Sequence, residues 1–258
     1  MSVAIRWPGV LLAGVLIVAC SSGTPWSNEE VVRPHAANPF LEIEPDRHID
    51  DDGVVLLMWE VADDRSLWGP APAGLTHLQS WRRAIEVIVG GTDPAYLMQR
   101  NRELYPWLEN EHEGQRRINR QVEKGELGRW RPMNALESYL LDFHAARYPL
   151  LEQPSELGAL ILSRRTAEGE RTRIYYLTDG DGLPPRQAIG TVLQKAKADV
   201  QMGWDARAFL HNHTFDFANE KGMLAIAAPS ESDLQIIASI RRHLEVDLVW
   251  IIDGFNSF

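Results

Sequence analysis

Cysteine is almost absent from this chain, because Cys20 is the only one among its 258 residues. A single cysteine excludes a disulfide within the chain, so the burial of apolar side chains must hold the fold together. Internal repeats are lacking as well. Without repeats, a chain of this length forms one large domain or two small ones.

Positive charge is also scarce. The 26 Lys and Arg residues are outnumbered by 36 Asp and Glu residues, which gives a formal net charge of −10. Such an acidic balance argues against a phosphate-binding surface. The tripeptide His211-Asn212-His213 is therefore not interpreted as an HNH nuclease motif, whose histidines are not adjacent in this way. The composition predicts no nucleic-acid partner.

Long apolar runs are missing too. The longest near the N-terminus extends from Val10 to Ala19, after the single basic residue Arg6. A membrane-spanning helix needs roughly 20 apolar residues, so this run is too short to be one. Its length and position indicate a signal peptide covering residues 1–19.

The end of the signal segment carries a further motif. The run Ile17-Val18-Ala19-Cys20 resembles the lipobox of bacterial lipoproteins. The resemblance implies cleavage before Cys20 and a lipidated cysteine at the mature N-terminus. It also implies a lipid-anchored location in the bacterial cell envelope, at the outer membrane or the periplasmic face in a diderm cell. The alternative is an ordinary secretory signal whose cysteine is incidental.

Three further segments follow the signal peptide. Residues 20–45 are rich in Ser, Gly, Pro and Asn and predict a tether. Residues 46–130 predict a mainly helical region of unknown role, which includes a helix from Leu75 to Val89 and a short strand at 53–59. Residues 131–258 carry the motifs that indicate chemistry.

This last segment alternates between helical and strand patterns. Asn134 followed by Glu137 predicts a capped helix start. The pattern then predicts two strands, a helix after Pro184-Pro185, a strand ending in His211, a helix and a final strand. The order indicates an α/β fold with a mixed sheet flanked by helices. Of these elements, the first two strands are expected at 158–162 and 173–177, the last helix at 230–243 and the final strand at 247–252.

The side chains near the C-terminus suggest a metal site. His211 and His213 are two residues apart on a predicted strand, so their imidazoles point to the same face. Asp233, at the start of the next helix, could supply a third ligand. Three protein ligands with one open position are typical of hydrolytic rather than structural zinc.

With these residues in place, the chain resembles the JAMM (JAB/MPN) family of zinc metalloproteases over residues 131–258. The resemblance implies that His211, His213 and Asp233 bind Zn²⁺, that Ser230 matches the family's serine, and that Glu156 matches its glutamate. It also implies the layering of JAMM and cytidine-deaminase-like folds. In this family the glutamate acts as the general base and the serine stabilises the oxyanion.

Each assignment has an alternative. Ser230 and Asp233 also suit an ordinary capped helix start, and the two functions are compatible. The chain departs from the family pattern at Thr214, where proline is usual, and in the long connector 214–229, which could be a loop over the metal or a plain surface insertion. The acidic residues that compete with Glu156 are Glu152, Glu168 and Glu170.

The sequence therefore predicts a lipid-anchored, zinc-dependent peptidase or isopeptidase acting on a peptide or protein substrate. The export signal makes a ubiquitin-like conjugate a poor fit as the substrate. A non-catalytic, lipid-anchored binding or scaffold protein with a JAMM-like fold is the alternative. Hydrolysis of a non-peptide amide is a third possibility, since the same residues would support it.

Overall fold

A mixed sheet organises the part of the chain that the computed structural model describes, which is residues 38–49, 55–63, 65–106, 113–178, 186–217 and 224–258. Eight strands in these residues form the sheet. They are β1 Asp46–Ile49, β2 Val55–Ala62, β3 Arg131–Pro132, β4 Gly158–Thr166, β5 Gly169–Thr178, β6 Asp205–Asn212, β7 Leu248–Ile252 and β8 Asn256–Ser257. Their order is β1-β2-β5-β4-β6-β7-β8-β3. The pair β6–β7 is parallel and the other neighbouring strands are antiparallel.

Helices flank this sheet, so the predicted α/β class with a mixed sheet is confirmed. The helices are α1 Pro39–Glu42, α2 Arg65–Trp68, α3 Thr76–Val89, α4 Pro94–Leu104, α5 Glu113–Glu123, α6 Ala135–Ala145, α7 Arg186–Gln201 and α8 Glu231–His243. One apolar core includes side chains of α3 and α6, and a second includes side chains of α7 and α8.

Strand β4 lies between the two cores. Ala159 and Ile161 belong to the first core, whereas Leu160 and Leu162 belong to the second. Because side chains alternate along a strand, a strand buried on both faces reads as a continuous apolar run. The central position of β4 therefore accounts for the apolar run Gly158–Leu162, from which the strand was predicted.

The first core is centred on Trp59 of β2. Its indole makes edge-to-face contacts with Phe40, Phe143 and Tyr176, at centroid distances of 5.2, 4.9 and 6.0 Å. Edge-to-face pairs of this kind stabilise by about 0.5–1.5 kcal/mol beyond the area they bury. The cluster joins α1, β2, α6 and β5, which are far apart in the sequence.

The end of the predicted tether is part of this core. Phe40 in α1 is only 1% exposed. The Asn38 side chain donates to the Asp142 carboxylate and to the Tyr139 carbonyl, both at 2.9 Å. Residues 38–45 are thus attached to the fold by an apolar anchor and buried hydrogen bonds, and this corrects the predicted tether boundary at residue 45.

The region 46–130 is mainly helical and also contributes β1 and β2 to the sheet. Strand β2 pairs with β5 over eight residues, from Val55–Thr178 to Ala62–Arg171. The predicted helix Leu75–Val89 is confirmed as α3, with Leu75 as its N-cap residue. It ends at Gly90, which has a φ of 82° and so adopts the left-handed conformation that glycine tolerates at a helix terminus.

The predicted signal peptide and the lipidation site at Cys20 lie outside the described residues. Among the helices that the structure does describe, none has the length and apolar composition required to cross a membrane.

Candidate metal centre

The two histidines lie at the end of β6, on the side of the sheet that faces α7 and α8. His211 continues the row started by Phe209, which belongs to the second core. His213 follows the strand, and its backbone N–H donates to the Ile252 carbonyl at 2.8 Å. The ring centroids of the histidines are 5.0 Å apart. The predicted placement of both imidazoles on one face is therefore observed.

Asp233 reaches the histidines from the first turn of α8. Ser230 is the N-cap residue, and its Oγ accepts a hydrogen bond from the Asp233 backbone N–H at 3.1 Å. In return, Asp233 Oδ2 accepts from the Ser230 backbone N–H at 2.7 Å. This reciprocal capping box fixes the orientation of the carboxylate. Ser230 Oγ also lies 2.8 Å from Ser232 Oγ.

The three side chains form a group that could hold a metal ion. Asp233 Oδ1 lies 3.4 Å from His211 Nε2, and Asp233 Oδ2 lies 3.0 Å from His213 Nε2. One ligand atom from each residue lies within 4.8 Å of the others. Bonds of about 2.0–2.1 Å to a tetrahedral ion would place ligand atoms roughly 3.3 Å apart, and the two distances to the Asp233 oxygens are close to that value. Two imidazoles and one carboxylate make the donor set of a site with one open position.

Glu156 is the predicted acidic neighbour of this group. Its Oε2 lies 3.6 Å from His211 Nε2. The position follows from the ladder, because Gly158 pairs with His211 and Glu156 precedes Gly158 by two residues. Of the competing acids, Glu168 is in the turn between β4 and β5, and Glu152 and Glu170 are exposed.

Two buried side chains hold the backbone around Glu156. The Thr178 hydroxyl donates to the Glu156 carbonyl at 2.8 Å, and the Asn212 side chain accepts from the Leu157 N–H at 2.6 Å. Thr178 and Asn212 are 0% and 2% exposed. Since these hydrogen bonds are shielded from water, they restrict the position from which the Glu156 side chain extends.

Thr178→Val is expected to lower the free energy of unfolding by about 1–2 kcal/mol, because the Glu156 carbonyl would lose its donor in a buried setting. Valine keeps the shape of threonine, so little packing is lost. Denaturant unfolding measures the change. Thr178→Ser restores the hydroxyl but removes a buried methyl group, so it should recover only part of the loss. A valine variant as stable as wild type would show that this hydrogen bond contributes nothing.

The site separates the protonation of its two histidines. Burial, reinforced by the charge of His213, lowers the pKa of His211 to about 4. Burial also opposes the charging of His213, but the Asp233 hydrogen bond and the charges of Asp233 and Glu156 raise its pKa to about 9. Burial likewise disfavours the Asp233 carboxylate, yet the two histidines hold its pKa well below the usual range. In the absence of a metal ion, protonated His213 thus forms an ion pair with the Asp233 carboxylate. A bound cation would displace that proton.

The connector 214–229 orients one of the ligands. His213 Nδ1 donates to the Ile226 carbonyl at 2.8 Å, which directs Nε2 toward Asp233. Such outer contacts are the usual means by which a protein orients a metal-binding imidazole. The described parts of the connector also carry buried apolar side chains, including Phe215 and Leu224 in the first core. They are therefore integral to the fold rather than a plain surface insertion.

A contact from the N-terminal region supports the same site. Gln115 in α5 accepts from the Glu231 backbone N–H at 3.0 Å and donates to the Pro229 carbonyl at 3.4 Å. These bonds hold the chain on either side of Ser230. Nothing in the local sequence pattern distinguishes Gln115 from other polar residues on a charged helix, so this contact could not be predicted from the sequence.

The site is open on one side. The side chains of His211 and Asp233 are 7% and 5% exposed, whereas those of Glu156 and His213 are 17% and 19% exposed. The side chains of Glu156 and His213 thus lie on the more accessible side of the group. Comparisons of this chain with known protein families, with curated proteins and with solved structures gave no match.

Proposed function

We propose that this protein is a zinc-dependent peptidase or isopeptidase that hydrolyses an amide bond. The observation that carries the proposal is the grouping of His211, His213 and Asp233, with Glu156 Oε2 at 3.6 Å from His211 Nε2. A three-ligand site beside a carboxylate is the arrangement that metal-assisted hydrolysis requires.

Zinc is the proposed ion because the donor set suits it. Two imidazole nitrogens and one carboxylate oxygen are common in catalytic zinc sites, and the Ile226 carbonyl supplies the outer contact expected for His213. When bound, zinc supplies Lewis-acid chemistry, which polarises a carbonyl and lowers the pKa of water to about 7. We further propose that the sheet and its helices have JAMM-like layering.

The protein side chains have distinct roles in this proposal. Glu156 accepts a proton from the attacking water and later delivers it to the leaving amine. The Ser230 hydroxyl accepts from the Asp233 N–H and can still donate its own proton, so it stabilises the oxyanion of the tetrahedral intermediate. The capping box keeps Ser230 and Asp233 in a fixed relation during both steps.

The proposed location is the bacterial cell envelope, with a lipid anchor at Cys20. This rests on the short apolar segment and the lipobox-like run that ends in Cys20. An exported protein tail or a peptide of the envelope is then a better candidate substrate than a ubiquitin-like conjugate. The acidic net charge of −10 supports a protein or peptide partner over a nucleic acid.

Metal content tests the site. The detergent-solubilised full chain is expected to contain about one zinc per molecule, and His211→Ala and Asp233→Ala are expected to lose it, because each removes one of three ligands. Elemental analysis measures the stoichiometry. His243→Ala changes an exposed histidine of α8 outside the group and is the matched control.

Chelation distinguishes an enzyme from a binding protein that holds a structural ion. Hydrolysis of a peptide library should stop when a chelator removes the metal and return when zinc is added. Absence of metal from the wild-type protein would refute the proposed site. Metal without turnover of any peptide or amide would support the non-catalytic, lipid-anchored binding protein instead.

A further inference from the structure

An apolar crevice leads away from the candidate metal centre. It has a volume of about 30 Å³ and lies between α7, α8 and the face of the sheet that carries His211. Residues of all three layers line it, among them Val192, Ile236, Ile237 and Val249. His211 and Asp233 also line the crevice, so it adjoins the metal centre.

A missing side chain keeps the crevice open beside His211. Gly158 pairs with His211 in the ladder and lines the crevice. A Cβ at Gly158 would lie 3.3 Å from the Leu177 side chain and 3.8 Å from the Phe209 ring, and both of these side chains also line the crevice. On the helical side, Ile237 follows Asp233 by four residues and therefore lies on the same face of α8.

The lining determines what can enter. Among the described residues that line the crevice, His211 and Asp233 are the ones with polar side chains. Because every other side chain that lines the crevice is apolar, an aliphatic group would gain more from burial there than a charged or amide group, which would lose most of its hydration. At about 10–15 Å³ per water-sized group, the volume suits two or three such groups.

We infer that the crevice receives a small aliphatic side chain, of the size of alanine or valine, from the substrate residue beside the scissile amide. This inference rests on the proposed function, since it assigns the crevice to the substrate of the same site. The wall formed by His211 and Asp233 places the bound side chain next to the metal ligands. A volume of about 30 Å³ excludes larger side chains.

Binding of simple hydroxamic acids tests the inference independently of turnover. Hydroxamates coordinate zinc and carry their side chain where a substrate residue would lie. We expect isobutyrohydroxamic acid to bind the zinc-loaded full chain about 10-fold more tightly than acetohydroxamic acid, because two more carbons are buried. Phenylacetohydroxamic acid should bind more weakly than the isobutyryl compound. Calorimetry measures the three dissociation constants.

Widening the crevice should increase the affinity for the largest of the three compounds. Ile237→Ala removes three carbons from the wall, so the phenylacetyl compound should bind about 10-fold more tightly than it does to wild type, with zinc content unchanged. Ile88→Ala makes the same substitution at an exposed position of α3 and is the matched control. If Ile237→Ala does not fold, Val249→Ala widens the crevice from the sheet instead.

The outcomes separate this inference from the proposed function. Three results would each overturn the assignment of the crevice: equal affinity for the three compounds, binding of none of them to a zinc-loaded protein, or no gain in affinity of the phenylacetyl compound for the widened variant. A wild-type protein that contains no zinc would overturn the proposed function itself. The predicted order, shifted by Ile237→Ala and not by Ile88→Ala, would support both.

Discussion

Replacing Glu156 by glutamine is expected to reduce kcat for amide hydrolysis about 100- to 10,000-fold while the zinc content stays at the wild-type level. Glutamine has nearly the shape of glutamate but cannot accept a proton from water at neutral pH. Because Glu156 is not one of the three grouped ligands, its replacement leaves the metal-binding set intact. Steady-state kinetics and elemental analysis on the same preparation measure the two quantities.

Glu152→Gln is the matched control for this variant. Glu152 is one of the acids that the sequence left as an alternative, and it is exposed in the segment after α6. Its replacement should leave kcat unchanged. If Glu156→Gln retained wild-type turnover with zinc bound, Glu156 would not be the general base. Loss of zinc in Glu156→Gln would instead make it a ligand.

The local parts of the fold were predictable because their signals are local. The capping box of Asn134 and Glu137, expected from their spacing, is present at the start of α6. The apolar run at Gly158 likewise indicated a buried strand, and β4 is buried on both faces. Caps and short apolar runs depend on neighbours within a few residues, so the sequence contains the information directly.

The long-range pairings could not be predicted in the same way. Trp59 of β2 lies opposite Ile174 of β5, and nothing in either segment specifies the other as its partner. Phe40 is buried by the same assembly, although its surroundings are those of a tether. Val200 of α7 is 39% exposed, although it continues the helical spacing of the apolar residues Val192 and Ala196. Periodicity predicts the face of a helix on which a side chain lies. It does not predict how much of the helix is covered by the rest of the protein.

The candidate site likewise combines local features that the sequence predicts with long-range contacts that it does not. Spacing alone suggested that His211 and His213 share a face, since the geometry of a strand requires it. The supporting contacts from Gln115 and Ile226 required the fold, because they come from α5 and from the connector. Hydrogen bonds between segments far apart in the chain cannot be predicted from the local sequence pattern of either segment.

The protein should lose stability as the pH falls from neutral toward 4, and His144 should account for about 3 kcal/mol of the loss. The imidazole is 0% exposed, and burial lowers its pKa to about 4 from an ordinary value of 6.5. Its Nε2 donates to the Ser155 carbonyl at 3.0 Å, and its Nδ1 accepts from the Tyr176 hydroxyl at 2.6 Å. Both bonds suit a neutral ring.

The sign of the pH dependence follows from these two pKa values. Above 6.5, His144 is neutral in both the folded and the unfolded chain, so the stabilisation is fully present. Between 6.5 and 4, the unfolded chain binds a proton that the folded chain does not, and the free energy of unfolding falls. Below 4 both states are protonated, and the contribution of this residue changes no further.

A comparison of variants isolates His144 from the other titrating groups. The free energy of unfolding is measured by denaturant titration at several pH values for wild type and for His144→Gln, which keeps a neutral polar side chain. The wild type should lose about 3 kcal/mol relative to the variant between pH 7.5 and pH 4. His243→Gln, at an exposed position of α8, controls for the removal of one histidine.

An activity assay of the same variant relates this buried histidine to the candidate site. Ser155, which accepts from His144, immediately precedes Glu156, so a charged or missing imidazole would release the backbone next to the proposed base. His144→Gln should therefore be less active as well as less sensitive to acid. If the free energy of unfolding had the same pH dependence in wild type and His144→Gln, burial would not hold the His144 imidazole neutral in the folded protein.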